Sequence, residues 1–151
     1  MTPDTTTDRE IRVTRLFNAP RELVFAAFTE REHVTNWWVP GGTTIHEYDS
    51  RPGGLWRYTM TMPDGESYAF KIQFIEIDQP ARLVYDYATD AADGSAPVRT
   101  HVTFAEENGK TRVTMQLMFA TAAERAEAAQ YGAAAGAQQA LGSLADYLAT
   151  F

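Results

Sequence analysis

Four tyrosines, Tyr58, Tyr68, Tyr85 and Tyr87, stand in runs where apolar and polar residues alternate. Every second side chain of a β-strand shares a face, so these phenols fall on one face with Trp56, Met60, Phe70 and Ile72. A phenol in an apolar wall is a handle: its ring adds contact area while its hydroxyl fixes the orientation of whatever is held. The chemistry this pattern offers is the gripping of a small apolar or aromatic molecule. Met60 and Met115 let such a wall adapt.

Patterns for bond-breaking chemistry are weaker. His33, His46 and His101 lie on separate predicted elements without the i, i+4 spacing of a helical metal site, so the reading assigns no metal and no cofactor. No Gly-x-Ser-x-Gly elbow occurs, and Ser50, Ser67, Ser95 and Ser143 fall in predicted turns or helix. Asp86 alternates away from Tyr85 and Tyr87, which leaves no acid-base pair on the aromatic face and no catalytic residue to name. The stretch Asp49 to Gly54 lacks the Lys-Ser/Thr ending of a phosphate loop and precedes a strand. It is read as a structural turn in which Asp49 pairs with Arg51 and Gly53-Gly54 permits a bulge.

The elements that position this face follow from period and turn chemistry. Ile11, Val13 and Phe17 mark a first strand from Glu10 to Phe17, irregular at Arg15 and Leu16. Asn18 is a candidate cap for a helix burying Leu23, Val24, Ala27 and Phe28, and a second short helix is expected from Glu30 to Trp38. Of the adjacent Trp37 and Trp38, one ring is expected to pack under the sheet and the other to lie partly exposed. Six extended segments follow, near 43–50, 54–62, 67–77, 82–88, 97–106 and 110–120, with hairpin signals at Pro63-Asp64-Gly65-Glu66 and Asn108-Gly109. Residues 88–97, with Asp90, Asp93, Gly94 and Ser95, read as a mobile loop at a cavity rim.

From Thr121 onward an Ala-rich run predicts one long helix, opened by a capping box of Thr121 and Glu124. Tyr131, Ala134, Leu141, Leu144, Leu148 and Phe151 form its expected inner stripe, and Gly132-x-x-x-Gly136 its close approach to the sheet. Val102, Met115 and Leu117 extend the sheet face toward Tyr131, Ala137 and Leu141 of that helix. These six complete the candidate ligand-binding set with the eight named above. From periodicity alone, interdigitation to ordinary packing density is the leading alternative to a hollow.

Composition bounds the partners. The 151 residues carry a formal charge of -7, and Lys71 and Lys110 are the only lysines, so no basic face suits nucleic acid or an anionic membrane. With no apolar run near the ~20 residues of a membrane span and no cysteine, the expected setting is the cytoplasm. A disordered tail is expected over residues 1–8 and one domain over 9–151.

Several motifs together resemble one family: Ala19-Pro20, Val24-Phe25-x-Ala27-Phe28-Thr29, Trp37-Trp38-x-Pro40, Asp49-x-Arg51-Pro52-Gly53-Gly54-x-Trp56 and Pro80-x-Arg82-Leu83-Val84-Tyr85. From about Ile11 to Leu148 the chain resembles the heat-shock-protein-90 ATPase activator C-terminal-like (AHSA-type) group of the START-like, birch-pollen-allergen-like (SRPBCC) superfamily. The resemblance implies an α+β helix-grip fold: a curved antiparallel sheet around a long C-terminal helix, with two short helices after the first strand. It also implies an enclosed hollow for lipids, sterols, polyketides or aromatic compounds. Many relatives carry Gly-Trp where this chain has Gly136-Ala137, a departure that widens the hollow. The match begins almost at the first residue, without the separate N-terminal domain of the eukaryotic activators, so a chaperone partner is doubtful.

The leading expectation is therefore a non-catalytic binder or carrier of a small apolar or aromatic molecule. Two alternatives remain open. One is an enzyme of cyclase, dehydratase or hydrolase type in which Tyr58, Tyr85 or a histidine moves a proton. The other is a protein-interaction module that contacts a chaperone or forms a homodimer.

Overall fold

The computed structural model describes residues 9–38, 43–61, 64–89, 97–130 and 132–151. The expected tail over 1–8, Pro40 to Gly42, Met62, Pro63, Tyr131 and the acidic part of the 88–97 loop lie outside the described residues. Seven strands form one antiparallel sheet: β1 (Glu10–Phe17), β2 (Thr43–Tyr48), β3 (Leu55–Thr61), β4 (Ser67–Asp78), β5 (Arg82–Thr89), β6 (Val98–Glu107) and β7 (Lys110–Met118). Their order across the sheet is β1-β7-β6-β5-β4-β3-β2. Between β1 and β2 run α1 (Arg21–Thr29) and α2 (Arg31–Val34), and the chain ends in α3 (Ala122–Gln130) and α4 (Ala133–Leu148).

This is the expected helix-grip arrangement, with three differences at the helices: α2 ends at Val34, short of the Trp38 expected as its end, and two more follow. The single C-terminal helix is broken in two. Gly132, at φ +86°, takes the left-handed conformation that favours glycine and starts α4 afresh. The cap expected from Asn18 is not used either: α1 begins at Arg21 with Pro20 as its N-cap, whose fixed φ of -68° suits a helix start. The capping hydroxyl of Thr121 does form, accepting the Glu124 backbone N–H at 3.1 Å.

Register follows turn chemistry. Asn108 (φ 54°) and Gly109 (φ 81°) both turn left-handed, closing the two-residue hairpin that pairs Glu107 with Lys110. Asp49 and Arg51 pair at 2.7 Å as expected, but the bulge lies elsewhere. Among the described residues the register shifts twice, between Ile45 and Glu47 of β2 and between Phe74 and Glu76 of β4; at the second, the Gly53 N–H reaches the Phe74 carbonyl at 2.7 Å and the Phe74 N–H the Gly54 carbonyl at 3.0 Å. The 49–54 turn thus docks on the bulge and leaves no room at Gly54, where a Cβ would strike the Asp49 carbonyl oxygen.

The core lies between the inner sheet face, α1 and the C-terminal half of α4. Val24, Phe25, Ala27 and Phe28 of α1 are buried, with Phe25 and Phe28 set edge-on to Phe104 at 5.0 and 5.3 Å. Leu141, Leu144 and Leu148 are buried against the same cluster. Ala134 and Phe151, expected on that inner stripe, are instead exposed, Phe151 by 65%. At Arg15, where β1 breaks its alternation, the guanidinium lies over the Phe17 ring at 5.9 Å and reaches α4 beside Gly142.

Candidate functional site

α4 divides the interior. Its second half carries Leu141, Leu144 and Leu148, which fill the space under the sheet. Its first half carries Ala133, Gly136, Ala137 and Ala140, at the i, i+3, i+4, i+7 spacing that keeps one helix face together. Those small side chains stop short of the sheet and leave a cavity of about 700 Å³.

Its opposite wall is aromatic. Tyr58 of β3, Tyr85 and Tyr87 of β5, and Trp38 from the turn after α2 line it. Strand alternation delivers the first three, and pairing of Tyr58 with Phe70 and of Ile72 with Tyr87 holds them in neighbouring register. Phe70 stands between two of the phenols, stacked at 5.6 Å on Tyr58 and 5.5 Å on Tyr87. Met60, Met115, Leu117, Val98 and Phe119 supply apolar sides, and Ala128 of α3 closes part of the rim. Gly136 and Gln139, exposed on α4, border the opening.

The polar groups are few and neutral. Trp38 Nε1 donates to the Tyr58 hydroxyl at 3.0 Å. Burial pushes the Tyr58 hydroxyl far above the ordinary phenol pKa, and the nearby Tyr87 phenol adds to the rise. Tyr85 is pushed up by burial and by Tyr87, while Thr100 opposes the shift. Tyr87 is raised by burial, and Tyr58 opposes the rise. All three phenols therefore stay protonated at neutral pH and serve as hydrogen-bonding groups, not as bases.

Of the residues singled out from sequence, Tyr58, Met60, Tyr85, Tyr87, Met115, Leu117 and Ala137 border the cavity. Trp56, Ile72, Val102 and Leu141 belong to the buried core, and Phe70 packs against it between the Tyr58 and Tyr87 rings without lining the cavity. The Trp56 Nε1 has no hydrogen-bond partner among the described residues. Tyr68 faces Met60 across β3 and β4 but is 47% exposed, away from the cavity lining. Tyr131 lies outside the described residues. Sequence reasoning missed Trp38 and Thr100. Trp37 is the buried ring of its pair, with Nε1 donating to the Ala27 carbonyl at 2.8 Å, and that rotation sends Trp38 to the cavity. Thr100 lies at period two between Val98 and Val102, so alternation carried its signal.

The histidines are far apart in role. His33 Nδ1 meets the Tyr147 hydroxyl at 2.6 Å, His46 Nε2 meets Thr59 Oγ1 at 2.7 Å, and His101 Nδ1 lies 3.0 Å from the Arg82 guanidinium. Among the described residues no three His, Asp or Glu side chains group to hold a metal ion, and no helix is long and apolar enough to cross a membrane.

Comparison with known proteins places this geometry. A crystal structure of protein Ms6760 from Mycobacterium smegmatis is 25% identical, with a TM-score of 0.82, over 95% of this chain and 92% of that one. A solution structure of a protein from Staphylococcus epidermidis is 26% identical, with a TM-score of 0.81, over 94% and 90% of the two chains. A solution structure from Arthrobacter aurescens, 21% identical with a TM-score of 0.87 over 99% and 91%, shares the fold. No curated protein matches the chain. The sequence model of one family, described as Activator of Hsp90 ATPase homolog 1-like protein, spans residues 18–149, and the chain belongs to that family.

Proposed function

We propose that the protein binds or carries a small apolar or aromatic molecule in the cavity between α4 and the aromatic sheet face, without transforming it. The observation that carries this reading is the cavity of about 700 Å³, walled by four aromatic rings on one side and by Ala and Gly on the other. A volume of that order, mostly apolar with few polar groups, is what drug-sized ligands occupy. The described lining residues include no His, Asp, Glu, Lys or Arg, and phenols held protonated make poor proton acceptors, which favours a binder over an acid-base enzyme.

The family description names an activator of a chaperone ATPase, so a chaperone-associated role is the second reading. The 65% exposed Phe151 ring and the exposed Tyr68 offer apolar surface for such a contact or for a homodimer.

Native mass spectrometry of freshly purified protein, followed by denaturation and identification of what is released, separates the two. A stoichiometric apolar compound supports the binder. An empty protein that binds nothing in a broad thermal-shift screen, yet retains a protein partner, favours the interaction module.

A further inference from the structure

Resting on that reading, we infer that the cavity takes only uncharged ligands: apolar phenols, alcohols, ketones or esters, and not the carboxylates, sulfonates or phosphates built on the same skeletons. The chain holds 13 Lys and Arg residues and 3 His. None of them borders the cavity, and the stretches outside the described residues contain no Lys, Arg or His. No basic side chain of this chain is therefore at hand to pair with an anion inside.

Strand alternation is the cause. Tyr85 and Tyr87 of β5, Val98 and Thr100 of β6, and Met115 and Leu117 of β7 line the cavity, so Asp86, Arg99 and Gln116 between them face the other side of the sheet. There Arg99 Nη2 donates to Asp86 Oδ2 at 3.1 Å. Arg82 pairs with Glu76 at 3.1 Å and lies 3.0 Å from His101 Nδ1. The cations nearest the cavity wall in sequence are thus engaged on the opposite face. Inside, the Thr100 and phenol hydroxyls and, at the rim, the Gln139 amide supply hydrogen bonds but no charge. A buried ion without a counter-charge is costly. The wall's own phenols meet the same penalty: burial is the first cause that holds Tyr58, Tyr85 and Tyr87 above the ordinary phenol value.

Three fluorescent compounds on one skeleton separate charge from size: 1-anilinonaphthalene, its 8-sulfonamide and its 8-sulfonate, titrated against the intact protein at neutral pH. The first two are expected to bind. The sulfonate is expected to bind at least ~tenfold more weakly than the sulfonamide, a gap that their similar size does not produce. A cation supplied at the rim should narrow it. Gln139→Lys, at an exposed position of α4, is expected to tighten sulfonate binding by about two- to fivefold, the range of an exposed ion pair, and to leave 1-anilinonaphthalene unchanged. Ala137→Trp, which sets an indole into the cavity, is expected to abolish binding of 1-anilinonaphthalene. Urea unfolding checks that this variant folds, and Gly136→Leu takes its place if it does not.

Equal binding of sulfonate and sulfonamide overturns the charge selection and leaves the cavity binder standing, the anion then being held by the hydroxyls or by the backbone N–H groups at the start of α4. A gap that Gln139→Lys does not narrow overturns it too, because the lack of a cation is then not the cause. Binding of 1-anilinonaphthalene that survives the filled cavity places the probes elsewhere and overturns both readings. Failure of 1-anilinonaphthalene to bind the wild type overturns both as well.

Discussion

The indole of Trp38 and the phenol of Tyr58, 20 residues apart, are joined by one hydrogen bond of 3.0 Å, and it ties the turn after α2 to β3 at the cavity wall. Tyr58 is 1% exposed, so the bond is sheltered from water on the strand side. Removing the hydroxyl leaves the Trp38 donor without its acceptor. Tyr58→Phe is expected to lower stability by about 1–3 kcal/mol, the cost of an orphaned buried donor. Urea unfolding measures it, and a loss below a few tenths of a kcal/mol would mean that water replaces the phenol.

Two glycines should respond in opposite directions. Gly54 has no space, since a Cβ there meets the backbone oxygen of Asp49, and Gly54→Ala must open the turn docked on the β4 bulge. Gly136 sits inside α4 with nothing within 4 Å of a built Cβ. Gly136→Ala is expected to stabilise the protein by about 0.5–1 kcal/mol, because alanine loses less freedom on entering a helix. Gly54→Ala should instead destabilise by more than ~1 kcal/mol, in the range of enforced strain. Paired thermal melts of the two variants decide the matter.

The contrast also shows what was legible in the sequence. Strand alternation put Tyr58, Tyr85 and Tyr87 on the inner face with Trp56, Ile72 and Val102, and all six do point inward. Alternation names a face but not where along it the filling stops. That boundary is set by α4, at the change from Ala133–Ala140 to Leu141, a signal present in the chain but meaningful only once helix and sheet are in register. The helix break was hidden for a related reason. Ala-rich flanks favour helix on both sides, and one glycine costs a helix only about 1 kcal/mol, too little to mark a boundary. The left-handed turn at Gly132 is a property of the packed chain.

Alkaline pH should unfold the protein through its tyrosines. Burial raises the hydroxyls of Tyr48, Tyr58, Tyr85 and Tyr87 above the ordinary phenol value of about 10. In the unfolded chain these groups ionise near that value, while in the fold they remain neutral. The unfolded state therefore binds fewer protons above pH ~10, and stability falls as pH rises from there toward the folded values. The urea midpoint is expected to be insensitive to these tyrosines up to about pH 9 and to drop above about 10. Their tyrosinate absorbance should appear together with loss of circular dichroism. Full ionisation of all four while the sheet remains intact would contradict the burial.

Local stability should differ sharply between the last two helices. α3 has no buried residue and is held by its Thr121 cap, by the Arg125 Nε to Glu10 carbonyl bond at 3.2 Å and by the corner at Gly132. α4 buries Leu141, Leu144 and Leu148, each of which would cost about 2–5 kcal/mol to truncate to alanine. Segments with few buried apolar contacts open far below the global unfolding free energy. Amide hydrogen exchange is therefore expected to be fast throughout α3 and slow over the second half of α4. Because Ala128 of α3 borders the cavity, an apolar compound bound there should slow exchange in α3 more than in the second half of α4. Equal protection of both helices without a ligand would show that α3 is anchored by more than these three contacts.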